Sequence, residues 1–154
     1  MQNLVYGVLP REQLLALSGL EMLQGMIDRK YPVPPISRAL GFLLTEAAPG
    51  RAVFRGTPTA ELLNPIGTVH GGWIGTLLDS AMGCAVHTLL KPGQAYTTLE
   101  MKINFVRAVM PGQGELICEG RVIHSGARIG TSEGALKTAD GKLLAHGTET
   151  CLIM

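Results

Sequence analysis

The sequence predicts an α+β fold in which one antiparallel sheet packs against a single central helix, with further helix ahead of it. Three observations point there. Asn64 to Gly83, "NPIGTVHGGWIGTLLDSAMG", reads as an apolar helix opened by a histidine and two glycines. Two strand-like runs precede it and four follow, and they alternate or run apolar between turn residues. The links between consecutive strands are short, which favours antiparallel pairing. A helix of about five turns beside such a sheet must bury one side against it, giving two layers.

The elements follow in order. "REQLLALSGLEMLQGMIDRK" (Arg11 to Lys30) places Leu14, Leu15, Leu17, Leu20, Met22, Leu23, Met26 and Ile27 at helical spacing, between Pro10 and "YPVPP". "ISRALGFLLTEAAPGRAVFRGTPT" predicts two strands around the "APGR" turn. After the central helix, "AYTTLEMKINFVRAV" sets Leu99, Met101, Ile103 and Phe105 on one face against Thr98, Glu100, Lys102 and Asn104. "MPGQG" is a turn. "ELICEGRVIHSG" and "RIGTSEGALKTA" are strands, "DGK" a tight hairpin, and "LLAHGTETCLIM" the last strand. The organisation expected is an N-terminal helical segment at 1–38 and a sheet-and-helix domain at 39–154, one structural domain overall.

Composition narrows the function classes. Hydrophobic residues make up 46% of the chain and charged residues 16%, lean enough in charge to predict surface buried by self-association. Net charge is +1 with both signs interspersed, so no nucleic-acid footprint is present. Cys84, Cys118 and Cys151 form no CxxC and read as reduced core thiols; neither a metal nor a cofactor is expected. "MQNLVYGVLPREQLLALSGLEML" lacks a basic leader, and Arg11, Glu12 and Glu21 interrupt its apolar residues. The expectation is a cytoplasmic protein with no membrane partner.

The central segment carries the chemistry. The first amides of a helix opening at Gly71 have no partner within it and sit at the positive end of the dipole. Glycines there let a ligand approach the backbone, which suits a phosphate or an oxyanion forming from a carbonyl. Asp79 is the one charge on this helix, and Gly75, Thr76, Met82 and Gly83 share its side. Ile74, Leu77, Leu78, Ala81 and Ala85 cover the face expected to meet the sheet. Eight residues separate Gly71 from Asp79 by ~12 Å along the helix, too far for both to reach one carbonyl. Two antiparallel copies of the helix about a two-fold axis would bring them together, and the small stripe is where the helices are expected to meet.

"NPIGTVHGGWIGTLLDSA" resembles the signature of the PaaI-like (phenylacetate-pathway type) hotdog-fold acyl-CoA thioesterases. That signature has Asn six residues before the His, then Gly-Gly, then an acid nine residues after the His. Asn64, His70, Gly71, Gly72 and Asp79 match in register. The resemblance runs on through "TTLEMKINFVRAV", "HSGARIG" and "DGKLLAHGTET", over about residues 40 to 154. Ala108 stands where the family usually has Pro. The resemblance implies the hotdog fold, homodimers often paired into homotetramers, and hydrolysis of an aryl or short- to medium-chain acyl-CoA without metal or cofactor, coenzyme A being part of the substrate. It implies that the Gly71 amide and the Asn64 side chain polarise the thioester carbonyl. Asp79 of the other subunit would attack it or activate a water. Thr97 or Thr98 would orient the acid, and His70 would position the loop or the sulfur side, or serve only the turn. Gly72, Trp73 and Arg128 are candidate substrate contacts, Arg128 toward a coenzyme A phosphate. The alternatives are a hotdog hydratase or dehydratase, which would want a His base at the Asp79 position, and a non-catalytic acyl-CoA binding module.

Overall fold

The computed structural model describes residues 4–154; the first three residues of the N-terminal segment lie outside the described residues. Three short helices, α1 (Arg11–Ala16), α2 (Gly19–Ile27) and α3 (Pro35–Leu40), lead into β1 (Phe42–Ala48) and β2 (Arg51–Gly56). The central helix α4 (Gly71–His87) follows. Then come β3 (Tyr96–Phe105), β4 (Leu116–Ser125), β5 (Ile129–Thr138) and β6 (Leu143–Ile153). The six strands form one sheet in the order β1-β2-β4-β5-β6-β3, every pair antiparallel, wrapped around α4. None of the helices in the described residues is long and apolar enough to cross a membrane.

The N-terminal part departs from expectation in two places. The run Arg11 to Lys30 is two helices, broken at Leu17, whose backbone is extended. Ser18 then restarts the chain with a capping box: its hydroxyl accepts from Glu21 N–H while the Glu21 carboxylate accepts from Ser18 N–H. The stretch after "YPVPP" opens as helix, because Pro35 occupies the first turn and Gly41, at φ 67, closes it in the left-handed conformation. The dividing line between residues 38 and 39 falls inside α3. Leu23 and Met26 of α2 pack with Val33 against Leu43, Leu44 and Ala47 of β1.

The sheet accepts α4 closely because two glycines lie beneath it. Gly120 and Gly134 stand opposite one another on β4 and β5. A Cβ at Gly120 would lie 2.1 Å from the Ala81 carbonyl oxygen, and one at Gly134 would lie 2.7 Å from Met82 Cγ. Leu77, Leu78, Ala81, Met82 and Ala85 of α4 fill the core against Ala52, Phe54, Leu116, Cys118, Leu136 and Leu144.

Although β3 precedes β4 in sequence, the two do not pair; β3 lies at the far edge beside β6. The "MPGQG" turn therefore belongs to a crossing connection rather than a hairpin. Pairing with β6 slips between Thr98 and Glu100, a β-bulge at Leu99. Met101, Ile103 and Phe105 share one face of β3 as expected, the face turned toward α4 at the edge of the sheet, but Leu99 does not share it. Beyond the bulge the inward residues are Thr98 and Tyr96, and Leu99 is 55% exposed.

Candidate active site

Asn64 begins the site by organising the loop ahead of α4. Its Oδ1 accepts from Ile66 N–H (3.1 Å) and Thr68 N–H (3.2 Å), and its Nδ2 donates to Thr68 Oγ1 (2.7 Å). This is an Asx-type turn, and Gly67 completes it at φ 83. The loop delivers His70 to the N-cap of α4. There His70 Nδ1 accepts from Gly72 N–H at 2.8 Å, and its carbonyl accepts from Trp73 N–H at 3.0 Å. Of the first three amides of α4, only that of Gly71 meets no acceptor among the described residues. It opens into a cleft of ≈ 270 Å³ shared by Asn64, Val69, Ile74 and the strand-end segment Phe105–Val109. Asn64 and Gly71 thus share one cleft.

Asp79 lies in a second cluster two turns further along α4. Thr98 Oγ1 is 3.2 Å from Asp79 Oδ1 and 3.0 Å from Glu149 Oε1. The bulge creates this contact: without the extra residue, Thr98 and Met101 could not both face the helix, and bulges re-aim side chains in this way. Thr97 is exposed and paired with Leu152 on the other face of β3, so Thr98 is the hydroxyl that meets the acid. Glu149 is 1% exposed and accepts from the Cys151 thiol at 3.2 Å. Burial, reinforced by the Asp79 charge, pushes its carboxyl up to about 7. Burial likewise pushes the Cys84 and Cys151 thiols up to about 12, so both are protonated and unreactive at neutral pH.

The stripe of small residues has a different occupant from the one expected. Gly71, Gly75, Asp79 and Gly83 repeat every fourth residue, and β3 of the same chain covers them. A Cβ at Gly71 would sit 3.3 Å from the Phe105 ring, and one at Gly75 would sit 3.4 Å from Ile103 Cδ1. At Gly83 it would sit 2.9 Å from the Tyr96 hydroxyl. The glycines seat a strand, not a second helix.

The remaining candidates scatter. Trp73 is 3% exposed and its Nε1 donates to the Leu40 carbonyl at 2.7 Å, so its ring is part of the core. Gly72 is exposed, but its amide is taken by His70. Arg128 is exposed in the β4–β5 turn, next to Gly130, which packs against Val86 at the opposite end of α4 from Gly71. Sequence reasoning missed Glu149 altogether. An acid at a core position of the alternating strand "LLAHGTETCLI" was the available signal.

The fold and this N-terminal amide geometry define a hotdog protein, and comparisons agree. The thioesterase superfamily model matches residues 66–145, just over half of the chain. Human acyl-coenzyme A thioesterase 13 is 30% identical over 115 residues, covering 73% of this chain and 81% of that protein. A Halobacterium salinarum protein carrying an esterase name is 34% identical over 88 residues, but the match spans only 56% of its length. A phenylacetic acid degradation-related protein from Ralstonia eutropha JMP134 superposes with a TM-score of 0.75. It is 30% identical, with 88% of this chain and 99% of that one covered. A conserved Pseudomonas aeruginosa protein superposes with a TM-score of 0.72 at 34% identity, covering 78% and 94%. The chain belongs to the thioesterase superfamily, a family of thioester hydrolases with PaaI-like members.

Proposed function

We propose that this protein is an acyl-CoA thioesterase, cutting an acyl-CoA to the free acid and coenzyme A. The observation that carries the reading is Asp79, the lone carboxylate of an apolar helix, half-buried and met by the Thr98 hydroxyl. The second half of the machinery is the free Gly71 amide, aimed into its cleft at the positive end of α4.

These two parts are ~12 Å apart along one helix, so a complete site takes Asp79 from one chain and Gly71 from a second. The pairing surface we favour is the free edge of β3, ten residues long, where Leu99, Met101 and Phe105 are 55%, 42% and 57% exposed. Such dimers can pair again into tetramers.

In the complete site the thioester carbonyl oxygen accepts from Gly71 N–H. The spare Nδ2 hydrogen of Asn64 lies in the same cleft. Asp79 then either adds to the carbonyl carbon or takes a proton from the water that does. The oxyanion collapses with loss of the coenzyme A thiolate, a leaving group that needs little protonation. Addition by Asp79 gives an anhydride that water opens. His70 Nδ1 accepts the hydrogen bond from Gly72 N–H, so the ring hydrogen sits on Nε2, a donor available to the sulfur side. Arg128 is the candidate contact for a coenzyme A phosphate.

The test is thiol release over a panel of aryl and aliphatic acyl-CoAs by the wild type and Asp79→Asn. General-base help is worth about 10²–10⁴-fold, so the variant should fold and lose at least that much turnover. Normal hydrolysis by Asp79→Asn would overturn the reading.

A further inference from the structure

A hydroxyl has one proton, yet Thr98 Oγ1 stands within hydrogen-bonding distance of two carboxyl groups, Asp79 at 3.2 Å and Glu149 at 3.0 Å. It can donate to only one of them. For the other contact to be a hydrogen bond it must run toward the threonine, and only a protonated carboxyl can donate. Burial decides which acid that is: Glu149 is 1% exposed, whereas Asp79 is half-buried. Glu149 Oε2 is also buried and without a partner, as is Ser132 Oγ opposite it on β5. An unpaired oxygen is tolerable on a neutral acid and costly on a buried anion.

The surroundings agree. Asp79 and Cys84 bear on Glu149 from α4, Tyr96 and Thr98 from β3, and Cys151 from its own strand, while β5 offers Ser132. None of these is a cation that would hold a second negative charge.

We propose that Glu149 is the positioning residue for Asp79: as a neutral acid it donates through Oε1 to Thr98 Oγ1, leaving the threonine proton to Asp79 Oδ1. The chain of donors runs Glu149 to Thr98 to Asp79 and fixes the reacting carboxylate in one orientation. When Glu149 ionises, two anions compete for one proton and Asp79 loses its hold. Turnover therefore falls as Glu149 titrates, and the raised range of its carboxyl sets that fall near neutrality. The inference rests on Asp79 being the reacting group.

Turnover measured from acid to alkaline pH for wild type, Glu149→Gln and Glu149→Ala tests it, alongside a carboxyl-carbon NMR titration of Glu149. A glutamine can still donate to Thr98 but cannot ionise. Glu149→Gln should stay near wild type on the acid side and lose the alkaline fall. Glu149→Ala should lose about tenfold in kcat, the worth of one hydrogen bond, with KM unchanged. Glu149 should titrate near neutrality, and at lower pH in Asp79→Asn, where a neighbouring charge is gone. An alkaline fall shared by wild type and Glu149→Gln overturns the proposal. So does a Glu149 midpoint in the ordinary carboxylate range, which is read by NMR even where a variant misfolds. Asp79→Asn separates the two failures: full turnover there sinks the thioesterase reading itself. A dead Asp79→Asn with an ordinary Glu149 titration sinks only the positioning role.

Discussion

The oxyanion role proposed for Gly71 rests on a single N–H, which makes it testable at the scale of one atom. Proline is tolerated in the first turn of a helix, and His70 before it is already extended at ψ 135, the conformation a following proline requires. Gly71→Pro should therefore fold with little loss of stability while deleting the donor. Removing one oxyanion-hole donor costs about 10²–10³-fold in kcat. Gly71→Ala keeps the N–H and only presses a methyl on the Phe105 ring, so it should lose less. Equal turnover in Gly71→Pro and wild type, measured by thiol release, would place the donor elsewhere.

Glu149 makes a second residue-scale prediction, on stability. Its folded-state carboxyl is pushed up to about 7 from the ordinary 4.5, so between those values the folded chain holds a proton that the unfolded chain has released. That contribution is full below the unfolded value and is lost as pH rises through the folded one. Its size is on the order of 3 kcal/mol. Thermal melts should show the wild type losing stability across this window and Glu149→Gln holding a flatter profile. Parallel curves for the two would contradict the assignment.

At the scale of elements, α4 rests on Gly120 and Gly134, and Gly120 is the tighter point. Gly120→Ala sets a Cβ 2.1 Å from the Ala81 carbonyl, a backbone atom that cannot swing aside. Overpacking of this kind costs about 1–3 kcal/mol or more, and a lowered thermal midpoint is the expected result; an unchanged one would mean the helix has room to rise.

The central helix, its N-terminal histidine and glycines, and the antiparallel strands were all legible in the sequence, because periodicity and turn residues are local. Two further signals are equally local: Ser18 with Glu21 marks a helix start, and Pro35 with Gly41 brackets α3. The Leu99 bulge and the approach of Glu149 to Thr98 were not legible. They depend on β3 pairing with β6, 51 residues away for that contact, and on a one-residue slip that no alternation pattern announces. The glycine stripe misled for the same reason. Small residues announce a close neighbour, but only topology says that β3 is that neighbour.

At the scale of the whole molecule, the proposed mechanism makes one chain half a site twice over: a carboxylate without an oxyanion donor, and a donor without a carboxylate. The exposed edge of β3 offers the surface on which a second copy would complete both. The most direct measurement mixes Asp79→Asn chains with Gly71→Pro chains and follows thiol release from an acyl-CoA, with light scattering reporting that mixed dimers form. If each site draws Asp79 from one chain and Gly71 from the other, every mixed dimer has one site with both defects and one with neither. About half of the wild-type activity per mixed dimer should then return from two inactive parents. Mixed dimers that remain inactive would show that no site is shared between chains, and would contradict the account.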